Sequence, residues 1–377
     1  MPAVSAGMND PVRLPLTPSQ QSLVEKFRDR QLLALSRCIS LVENHRPGFE
    51  SVLEELHDGV GSARRVGITG PPGAGKSTLT AALAGAYRAR GLTVGIIAVD
   101  PSSPFTGGAL LGDRVRMDDL ATSEGVFIRS MASRGSHGGL AAATREAADL
   151  LDAFGFDRIL LETVGVGQSE LEVASSADST LVVLVPESGD GIQAMKAGLM
   201  EVADLFAVNK ADRPGADRLK REIEVVLTLR TGAASSHVPA HHGVDLSSIA
   251  AQRTRDATPD LETVSAADLS DSAGQWAVPV LKCVASTGEG VLEIAAGLDR
   301  HFAWLESSGR LESHRREQAM EHARLVLERS VGRRAMNAWS TWLDAAGRDQ
   351  PSGRRTPYAI SREVYSTLWP VSAGTPD

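Results

Sequence analysis

Short apolar runs alternate with amphipathic stretches through the middle of the chain. The runs consist mainly of Val, Ile, Leu and Ala, and they lie at residues 66–69, 93–99, 126–128, 158–161, 180–185, 205–208 and 278–281. Stretches with helical spacing of apolar residues separate most of them. Continuous apolar strands that alternate with helices are typical of a parallel sheet that helices cover on both faces. The pattern predicts an α/β fold with a doubly wound, mainly parallel sheet.

The two ends of the chain show helical spacing without any strand pattern. In residues 19–57, apolar residues recur at roughly helical spacing among charges, and Arg46-Pro47-Gly48 interrupts the pattern. After Val291 the helical pattern returns through 311–328 and 333–346, followed by a short tail. We therefore predict a helical N-terminal extension, a central sheet domain and a helical C-terminal extension, at residues 1–60, 61–306 and 307–377.

One segment of the predicted sheet domain breaks the alternation of strands and helices. Residues 231–275 are rich in Ala, Ser, Thr and Asp and have little apolar periodicity. Because such a composition does not supply a face to bury, we predict a long surface insertion here. The insertion holds a group of histidines without an accompanying cysteine, at His237, His241 and His242.

Composition narrows the classes of function. Hydrophobic residues make up 42% of the 377 residues but aromatic residues only 4%, so Ala, Val, Leu and Ile must build the core. The net charge of -8 argues against sequence-independent binding of nucleic acid, which needs a basic surface. The cysteines, Cys38 and Cys283, are too few for a disulfide framework, and no apolar run reaches the length of a membrane span. We expect a cytoplasmic protein that binds neither nucleic acid nor a membrane.

The strongest motif is a glycine-rich turn between the first strand and the helix that follows it. The sequence Gly70-Pro71-Pro72-Gly73-Ala74-Gly75-Lys76-Ser77 matches G-x-x-x-x-G-K-[ST] in the strand-to-helix context that this motif requires. Successive backbone N–H groups and the helix N-terminus supply partial positive charge to a bound phosphate. We expect Lys76 to reach the β- and γ-phosphates of a nucleotide and the Ser77 hydroxyl to bind Mg²⁺.

A second motif selects the base. Asn209-Lys210-Ala211-Asp212 follows the strand at 205–208 and matches the Asn-Lys-x-Asp guanine motif of GTP-binding proteins. The Asp212 carboxylate can accept hydrogen bonds from N1–H and from the 2-amino group of guanine. Adenine offers neither donor, so a site built around this carboxylate discriminates strongly against ATP. Together with the glycine-rich turn, the motif predicts a binding site for GTP and GDP.

Acidic residues at strand ends complete the candidate chemistry. Glu162 follows an apolar strand, at a place where many GTPases have Asp, and Gly165 can offer its N–H to the γ-phosphate. Glu162 can reach Mg²⁺ through water or orient the attacking water. Asp100 ends the strand after the glycine-rich turn and its helix, which places it near the phosphates. Asp113 is either a further magnesium or water ligand or an acid at the start of a helix.

The sequence predicts slow intrinsic hydrolysis. Val166, and not Gln, follows Gly165, so a glutamine that orients the attacking water is not supplied at that position. Several arginines are close enough in sequence to assist, and the sequence alone does not choose among Arg114, Arg116, Arg129 and Arg134.

In combination, these motifs resemble the cobalamin-mutase-associated GTPases of the P-loop superfamily. This subgroup includes the bacterial MeaB-like proteins and their human methylmalonic-aciduria type A counterpart, and it has also been called the ArgK family of arginine/lysine transport kinases. The matching stretches occur in the same order as in the family, at 70–78, 99–117, 128–140, 162–170, 186–196, 209–212 and 287–291. Glu162 in place of Asp is itself a mark of the family. The resemblance implies the SIMIBI class of P-loop GTPase fold.

The resemblance also implies roles for individual residues. It adds Thr78 to the phosphate-binding residues, and it makes Asp100, Asp113 and Glu162 the acidic set that serves Mg²⁺ and catalysis beside Lys76. It implies switch segments at residues 100–117, 162–175 and 186–196, the last of them with Lys196 as a nucleotide contact.

The loop on the guanine side departs from the family pattern. The family has Ser-Ala-x here, whereas this chain has Val284-Ala285-Ser286, so the support of the first side chain is lost. The resemblance still implies that Ala285 gives its backbone N–H to guanine O6 and that Ser286 belongs to the guanine site.

The function implied by the resemblance is a GTP-hydrolysing chaperone for an adenosylcobalamin-dependent acyl-CoA mutase, such as methylmalonyl-CoA mutase. The helical C-terminal extension at residues 307–377, called the C-terminal arm below, is expected to build a homodimer. An adenosyltransferase is a further expected partner. The chain contains no Asp-x-His-x-x-Gly cobalamin motif, so the cobalamin would sit on the mutase. The alternatives are a nickel-type metal-insertion GTPase of the same class, to which the histidines of the insertion would belong, and a transport-linked kinase.

The guanine motif generates a direct prediction. Asp212→Asn replaces an acceptor of two hydrogen bonds by an amide that can pair with xanthine, so the variant should lose GTP binding and gain xanthosine triphosphate binding. Competition binding with the two nucleotides measures the exchange, and an unchanged affinity for GTP would refute the assignment of Asp212.

Overall fold

The apolar runs of the sequence form the strands of one sheet. The computed structural model describes residues 15–101, 123–133, 139–163, 173–186, 198–230, 275–346 and 356–368. Its strands are β1 (Arg64–Thr69), β2 (Val94–Pro101), β3 (Val126–Ser133), β4 (Arg158–Thr163), β5 (Ser179–Leu184), β6 (Leu205–Val208) and β7 (Val280–Lys282). The seven strands have the order β3-β2-β4-β1-β5-β6-β7, and every pair is parallel. The doubly wound sheet predicted from the sequence is confirmed and is parallel throughout.

Helices cover both faces of the sheet and extend beyond it at both ends. They are α1 (Pro18–Arg28), α2 (Leu32–Glu43), α3 (Phe49–Leu56), α4 (Lys76–Ala89), α5 (Gly139–Ala153), α6 (Leu199–Val202), α7 (Ala216–Arg230), α8 (Val291–Ser307), α9 (Arg310–Ala346) and α10 (Pro357–Leu368). A 3₁₀ turn at His57–Gly59 links α3 to β1. None of the described helices is both long enough and apolar enough to cross a membrane.

Burial on both sides explains why the strands read as unbroken apolar runs. Every residue of β4, β5 and β6 is buried. Two core layers lie on opposite faces of the central strands. One packs α4 and α8 against β1, with Leu83 and Ile294 fully buried. The other packs α5 and the N-terminal helices against β2 and β4, with Leu35 and Ile39 fully buried. The N-terminal helices therefore share a core with the sheet, while the boundary at residue 60 stays a prediction.

The helix after the glycine-rich turn begins and ends where the sequence predicts. We expect a helix from Lys76 to about Arg90 that Gly91 closes, and α4 spans Lys76–Ala89 with Arg90 as its C-cap. Gly91 has a φ of 79°, in the left-handed region that glycine adopts at low cost. This helix directs its N-terminus at the candidate phosphate site.

The C-terminal region differs from the sequence prediction of two helices and a tail. Residues 310–346 form one helix of 37 residues, about 56 Å long, which Gly332 does not break. A single glycine costs a helix only about 1 kcal/mol, and ion pairs one turn apart support it, such as Arg316 with Glu312. The predicted tail carries a further helix, α10, whose Val364 and Leu368 are buried.

Two arginines of α9 fasten this long helix to the sheet domain. Arg315 donates to both carboxylate oxygens of Asp178, at 2.8 and 2.9 Å, and to the backbone oxygen of Ala63 at 2.8 Å. Fourteen residues further along, which is about four turns, Arg329 donates to both oxygens of Glu146 in α5, at 2.6 and 3.2 Å. Both carboxylates are almost fully buried, so each ion pair is shielded from solvent.

The Arg329–Glu146 pair predicts a stability change with a clear sign. Arg329→Met leaves a buried carboxylate without its partner and should cost about 3 kcal/mol of unfolding free energy at pH 7 in urea denaturation. The double variant Glu146→Gln, Arg329→Met removes that charge and should recover part of the loss. Arg334→Met, at an exposed position of the same helix, should leave stability unchanged.

The same pair predicts a pH dependence. Burial acts to raise the pKa of Glu146, but His322 and Arg329 outweigh it and lower the pKa below its usual range. The contribution of the pair is therefore complete above the ordinary carboxylate pKa and is lost as the pH falls through the lowered value. A loss of the Arg329→Met effect at neutral pH, instead of in acid, would contradict this account.

Candidate functional site

The predicted site residues come together at one edge of the sheet. Gly70 follows the end of β1, Glu162 lies at the end of β4, Asn209 follows β6 and Ala285 lies just beyond β7. Because all these strands are parallel, their carboxyl ends meet at the same edge, where ligands of open α/β sheets bind. The central position of β1, between β4 and β5, sets the glycine-rich turn in the middle of this edge.

At two positions of the glycine-rich turn, only glycine fits the backbone conformation and the space available. Gly70 has a φ of 136°, and a Cβ atom there would lie 2.1 Å from the backbone oxygen of Val183. Gly75 has a φ of 84°, and a Cβ atom there would lie 2.5 Å from Nδ2 of Asn209. These close approaches explain why the motif requires glycine at both positions.

The lysine of the turn lies over the loop that precedes it. Lys76 is buried, and its Nζ donates to the backbone oxygens of Gly70 at 2.7 Å and Pro71 at 3.1 Å. Pro72 and Gly73 at the tip are exposed, Ala74 is buried, and Thr78 in the first turn of α4 is exposed. A cationic group thus stands beside the backbone N–H groups of the turn and of the α4 N-terminus, an arrangement suited to a polyphosphate.

The serine of the motif contacts the acid of β4. Ser77 donates its hydroxyl hydrogen to Oε1 of Glu162 at 2.5 Å, and the Glu162 side chain is buried. A hydroxyl and a carboxylate oxygen this close fit the hard oxygen ligands that Mg²⁺ prefers. Among the described side chains, no group of three or more His, Cys, Asp and Glu could hold a metal ion. Ser77 and Glu162 could therefore supply only part of a coordination shell.

Only one of the other predicted acids and switch residues, Asp100, belongs to the described residues, and only its backbone is described. Asp100 is the second-last residue of β2, and the pairing of Ala98 with Glu162 places its backbone at the same sheet edge. The side chain of Asp100 is outside the described atoms. Asp113, Gly165 and Lys196 lie outside the described residues, as do the histidines of the insertion at 237, 241 and 242. Their roles stay predictions.

Asn209 braces the site from beneath. Its buried side chain donates from Nδ2 to the backbone oxygen of Ala74 at 2.8 Å, and its Oδ1 accepts from the backbone N–H of Ala285 at 3.0 Å. The Cys283 thiol also donates to Oδ1, at 3.6 Å, and burial raises the pKa of this thiol to about 12, so that it stays protonated. One amide therefore joins the glycine-rich turn to the loop after β7, a contact that the sequence motif does not reveal.

The remaining guanine-motif residues lie on the exposed side of this brace. Lys210 has a φ of 56°, unusual for a residue other than glycine, and its Nζ donates to the backbone oxygen of Gly73 at 3.0 Å. Asp212 and Ser286 are exposed, so both side chains are accessible to a ligand. The N–H of Ala285, which the resemblance directs at guanine O6, is donated to Asn209 here.

One of the arginines considered for assisting hydrolysis is already bound to residues of the N-terminal helices. Arg129 in β3 donates to Oε2 of Glu43 at 2.5 Å and to the hydroxyl of Ser40 at 3.0 Å, both in α2. It ties the edge strand to the N-terminal helices. The other arginines considered from the sequence, Arg114, Arg116 and Arg134, lie outside the described residues.

The brace generates a prediction. Asn209→Ala leaves a buried backbone oxygen and a buried N–H without partners, and each such group costs about 1–3 kcal/mol. We expect the affinity for GDP, measured by titration with a fluorescent analogue, to fall at least ~100-fold, which is about 2.7 kcal/mol. Asn337→Ala, at an exposed position of α9, serves as the matched control. Wild-type affinity in Asn209→Ala would show that the brace does not organise the site.

Known proteins share both this sequence and this fold. The family model of the methylmalonyl Co-A mutase-associated GTPase MeaB matches residues 35–340. A Pyrococcus horikoshii protein, provisionally named a GTPase, is 41% identical over 322 residues, which cover 85% of this chain and 90% of that protein. The mitochondrial methylmalonic aciduria type A homolog of Mus musculus is 45% identical over 148 residues, or 39% of this chain and 36% of that protein.

A solved structure extends the likeness to three dimensions. The crystal structure of the LAO/AO transport system kinase superposes with a TM-score of 0.60 at 26% identity, and the match covers 94% of this chain and 99% of that one. The family match spans both the glycine-rich turn and the guanine motif, so the sequence, the fold and the site agree. The chain belongs to the MeaB family of mutase-associated P-loop GTPases, and the reaction of its family is the hydrolysis of GTP.

Proposed function

We propose that this GTPase gates the loading of adenosylcobalamin into a cobalamin-dependent acyl-CoA mutase and protects or reactivates that mutase. The observation that carries the proposal is the family match over residues 35–340, because the family is described by its association with methylmalonyl-CoA mutase. The substrate of the partner is methylmalonyl-CoA or a related acyl-CoA. GTP hydrolysis would time the exchange, and the cobalamin would stay on the mutase.

The phosphate end of the site supports a defined division of labour. Gly70 to Thr78 would hold the phosphates through backbone N–H groups, and Lys76 would exchange its loop carbonyl contacts for the β- and γ-phosphate oxygens. Gly165 would contact the γ-phosphate. Ser77 and Glu162, with Asp100 and Asp113, would hold Mg²⁺, which when bound neutralises developing phosphate charge. Glu162 is buried beside Ser77, so it would also orient the attacking water.

The base end supports guanine selectivity. Asp212 is exposed at the mouth of the site, where its carboxylate would accept from N1–H and the 2-amino group of guanine. Lys210 lies across the glycine-rich turn, so its stem would cover one face of the base. Ala285 and Ser286 would approach guanine O6 from the other loop. The main role of Asn209 would be to hold the glycine-rich turn and the loop after β7 at a fixed spacing, and not only to contact the base.

The C-terminal arm supports association of two copies. Met320, Leu327 and Val331 are exposed on α9, and their spacings of seven and four residues return to nearly the same side of the helix. A stripe of this kind is typical of a helix that packs on another helix. We propose that two copies of the chain form a homodimer through residues 307–377.

We propose a mutase as the main partner of this protein and an adenosyltransferase as a further partner. The proposed location is the cytoplasm. Lys196 would contact the nucleotide, and this contact would respond to the mutase.

The proposal predicts that the correct mutase accelerates hydrolysis. The GTPase rate of the full chain should rise at least ~10-fold on addition of its mutase, which is about 1.4 kcal/mol of activation free energy. The measurement compares purified mutases for methylmalonyl-, isobutyryl-, hydroxyisobutyryl- and ethylmalonyl-CoA. If none of them changes the rate or forms a complex with the chain, the chaperone role is wrong.

A pair of lysine variants controls this experiment. Lys76→Ala should abolish both basal and stimulated hydrolysis while leaving the fold intact, because the phosphates lose their main cationic partner. Lys26→Ala, on the exposed side of α1, removes the same charge from elsewhere and should leave both rates unchanged. Retained hydrolysis in Lys76→Ala would refute the phosphate site itself, whatever the mutase does.

A further inference from the structure

A cleft lies at the opposite edge of the sheet from the nucleotide site. Two adjoining cavities, of about 420 and about 390 Å³, lie between α5, the 3₁₀ turn after α3, and α9. They share His57, Val60, Asp149, His322 and Val326 in their walls, so they form one continuous cleft. Each volume lies within the range of small-molecule pockets in proteins, at its lower end.

The sheet sets the distance between this cleft and the nucleotide site. Arg65, which lines the cleft, is the second residue of β1, whereas the glycine-rich turn follows the last residue of the same strand. Asp178, also in the wall, immediately precedes β5. The cleft is therefore at the amino edge of the sheet, and an occupant would not touch the nucleotide.

Most charges around the cleft are already paired with one another. Arg65 contacts Asp149 at 2.7 Å and Asp152 at 2.9 Å. The α9 arginines are likewise bound to Asp178 and Glu146, as described above. These pairs hold the walls of the cleft in place.

Nitrogen atoms of three wall residues make no hydrogen bond within the described part of the chain; they belong to Arg145, His322 and Arg329. The guanidinium of Arg145 makes no hydrogen bond and no ion pair within the described part of the chain, although burial lowers its pKa below the usual range. Nε2 of His322 is buried, has no hydrogen-bond partner among the described residues, and lies 3.8 Å from Oε1 of Glu146, too far for a hydrogen bond. Buried nitrogen atoms without a hydrogen bond, such as Nε2 of His322 and Nε of Arg329, are rare and call for an explanation, whereas the Arg145 side chain is half-buried.

The rest of the wall limits the chemistry of an occupant. Leu53, Leu150 and Val326 present apolar surface along the larger cavity. Glu54 and Glu50, the latter paired with Arg333 at 2.6 Å, line the same cavity, and their carboxylates would repel a second negative charge. A ligand that satisfies the donors and fits this wall carries one anionic group and an apolar body.

We propose that this cleft is a binding site for a monocarboxylate with a short apolar chain. The carboxylate would accept hydrogen bonds from Arg145 and His322, and the chain would lie along Leu53, Leu150 and Val326. Such a ligand would bridge α5 and α9 and thereby stabilise the C-terminal arm against the sheet. The site is independent of the GTPase chemistry and of the proposed mutase partner.

A matched series of probes tests the proposal on the full chain. Isothermal titration with hexanoate should show saturable binding of one molecule per chain in the millimolar range. Acetate has the charge without the chain, 1-hexanol has the chain without the charge, and inorganic phosphate has a different anion; each should bind at least ~10-fold more weakly. Absence of saturable hexanoate binding, or equal binding of 1-hexanol or phosphate, would overturn the proposal.

Variants locate the binding in the cleft. Arg145→Gln should lower the hexanoate affinity at least ~10-fold, whereas Arg221→Gln, at an exposed position of α7, should leave it unchanged. Ala323→Phe places a ring at the mouth of the cleft and should also weaken binding, which keeps the test decisive if Arg145→Gln does not fold. Hexanoate binding that survives both Arg145→Gln and Ala323→Phe would refute the site.

Discussion

The buried amide of Asn209 is the contact on which the nucleotide site depends. Its backbone N–H donates to Leu184 at the end of β5, which fixes the residue at the sheet edge, and its side chain then reaches two loops at once. A carbonyl of the glycine-rich turn and an N–H of the loop after β7 meet on this one group. Because all three segments follow parallel strands, the register of the sheet sets the distance between the phosphate and base ends of the site.

The contacts of Asn209 explain why several residues of the nucleotide site are small or are already hydrogen-bonded to one another. Gly75 leaves the room that the Asn209 amide occupies, and Lys210 takes a left-handed conformation that carries its ammonium group to Gly73. Contacts formed before the nucleotide arrives need not be ordered at binding, so less affinity is lost to entropy. On the other side of the turn, the short contact between Ser77 and Glu162 explains the longer acid in place of Asp, because it reaches the serine directly.

The sequence predicts the features that local spacing controls. The strand at 205–208 and the start of the helix at Lys76 agree with the structure to the residue. Features that depend on distant partners are beyond such patterns: the bracing role of Asn209, the link from Arg129 to Glu43, and the unpaired Arg145 all arise from packing. The continuity of α9 across Gly332 is likewise not predicted by the helical patterns at 311–328 and 333–346, because the ion pairs that anchor the helix involve partners distant in sequence, and they outweigh the modest cost of one glycine.

The most direct test of this account is the relative affinity of the intact protein for GTP and ATP in the presence of Mg²⁺. Both nucleotides present the same triphosphate to the glycine-rich turn and Lys76, so their difference reports only the base end that Asn209 positions and Asp212 completes. Competition binding should show a preference for GTP of at least ~100-fold, which is about 2.7 kcal/mol. Affinities for ATP and GTP within a few-fold of each other would contradict it.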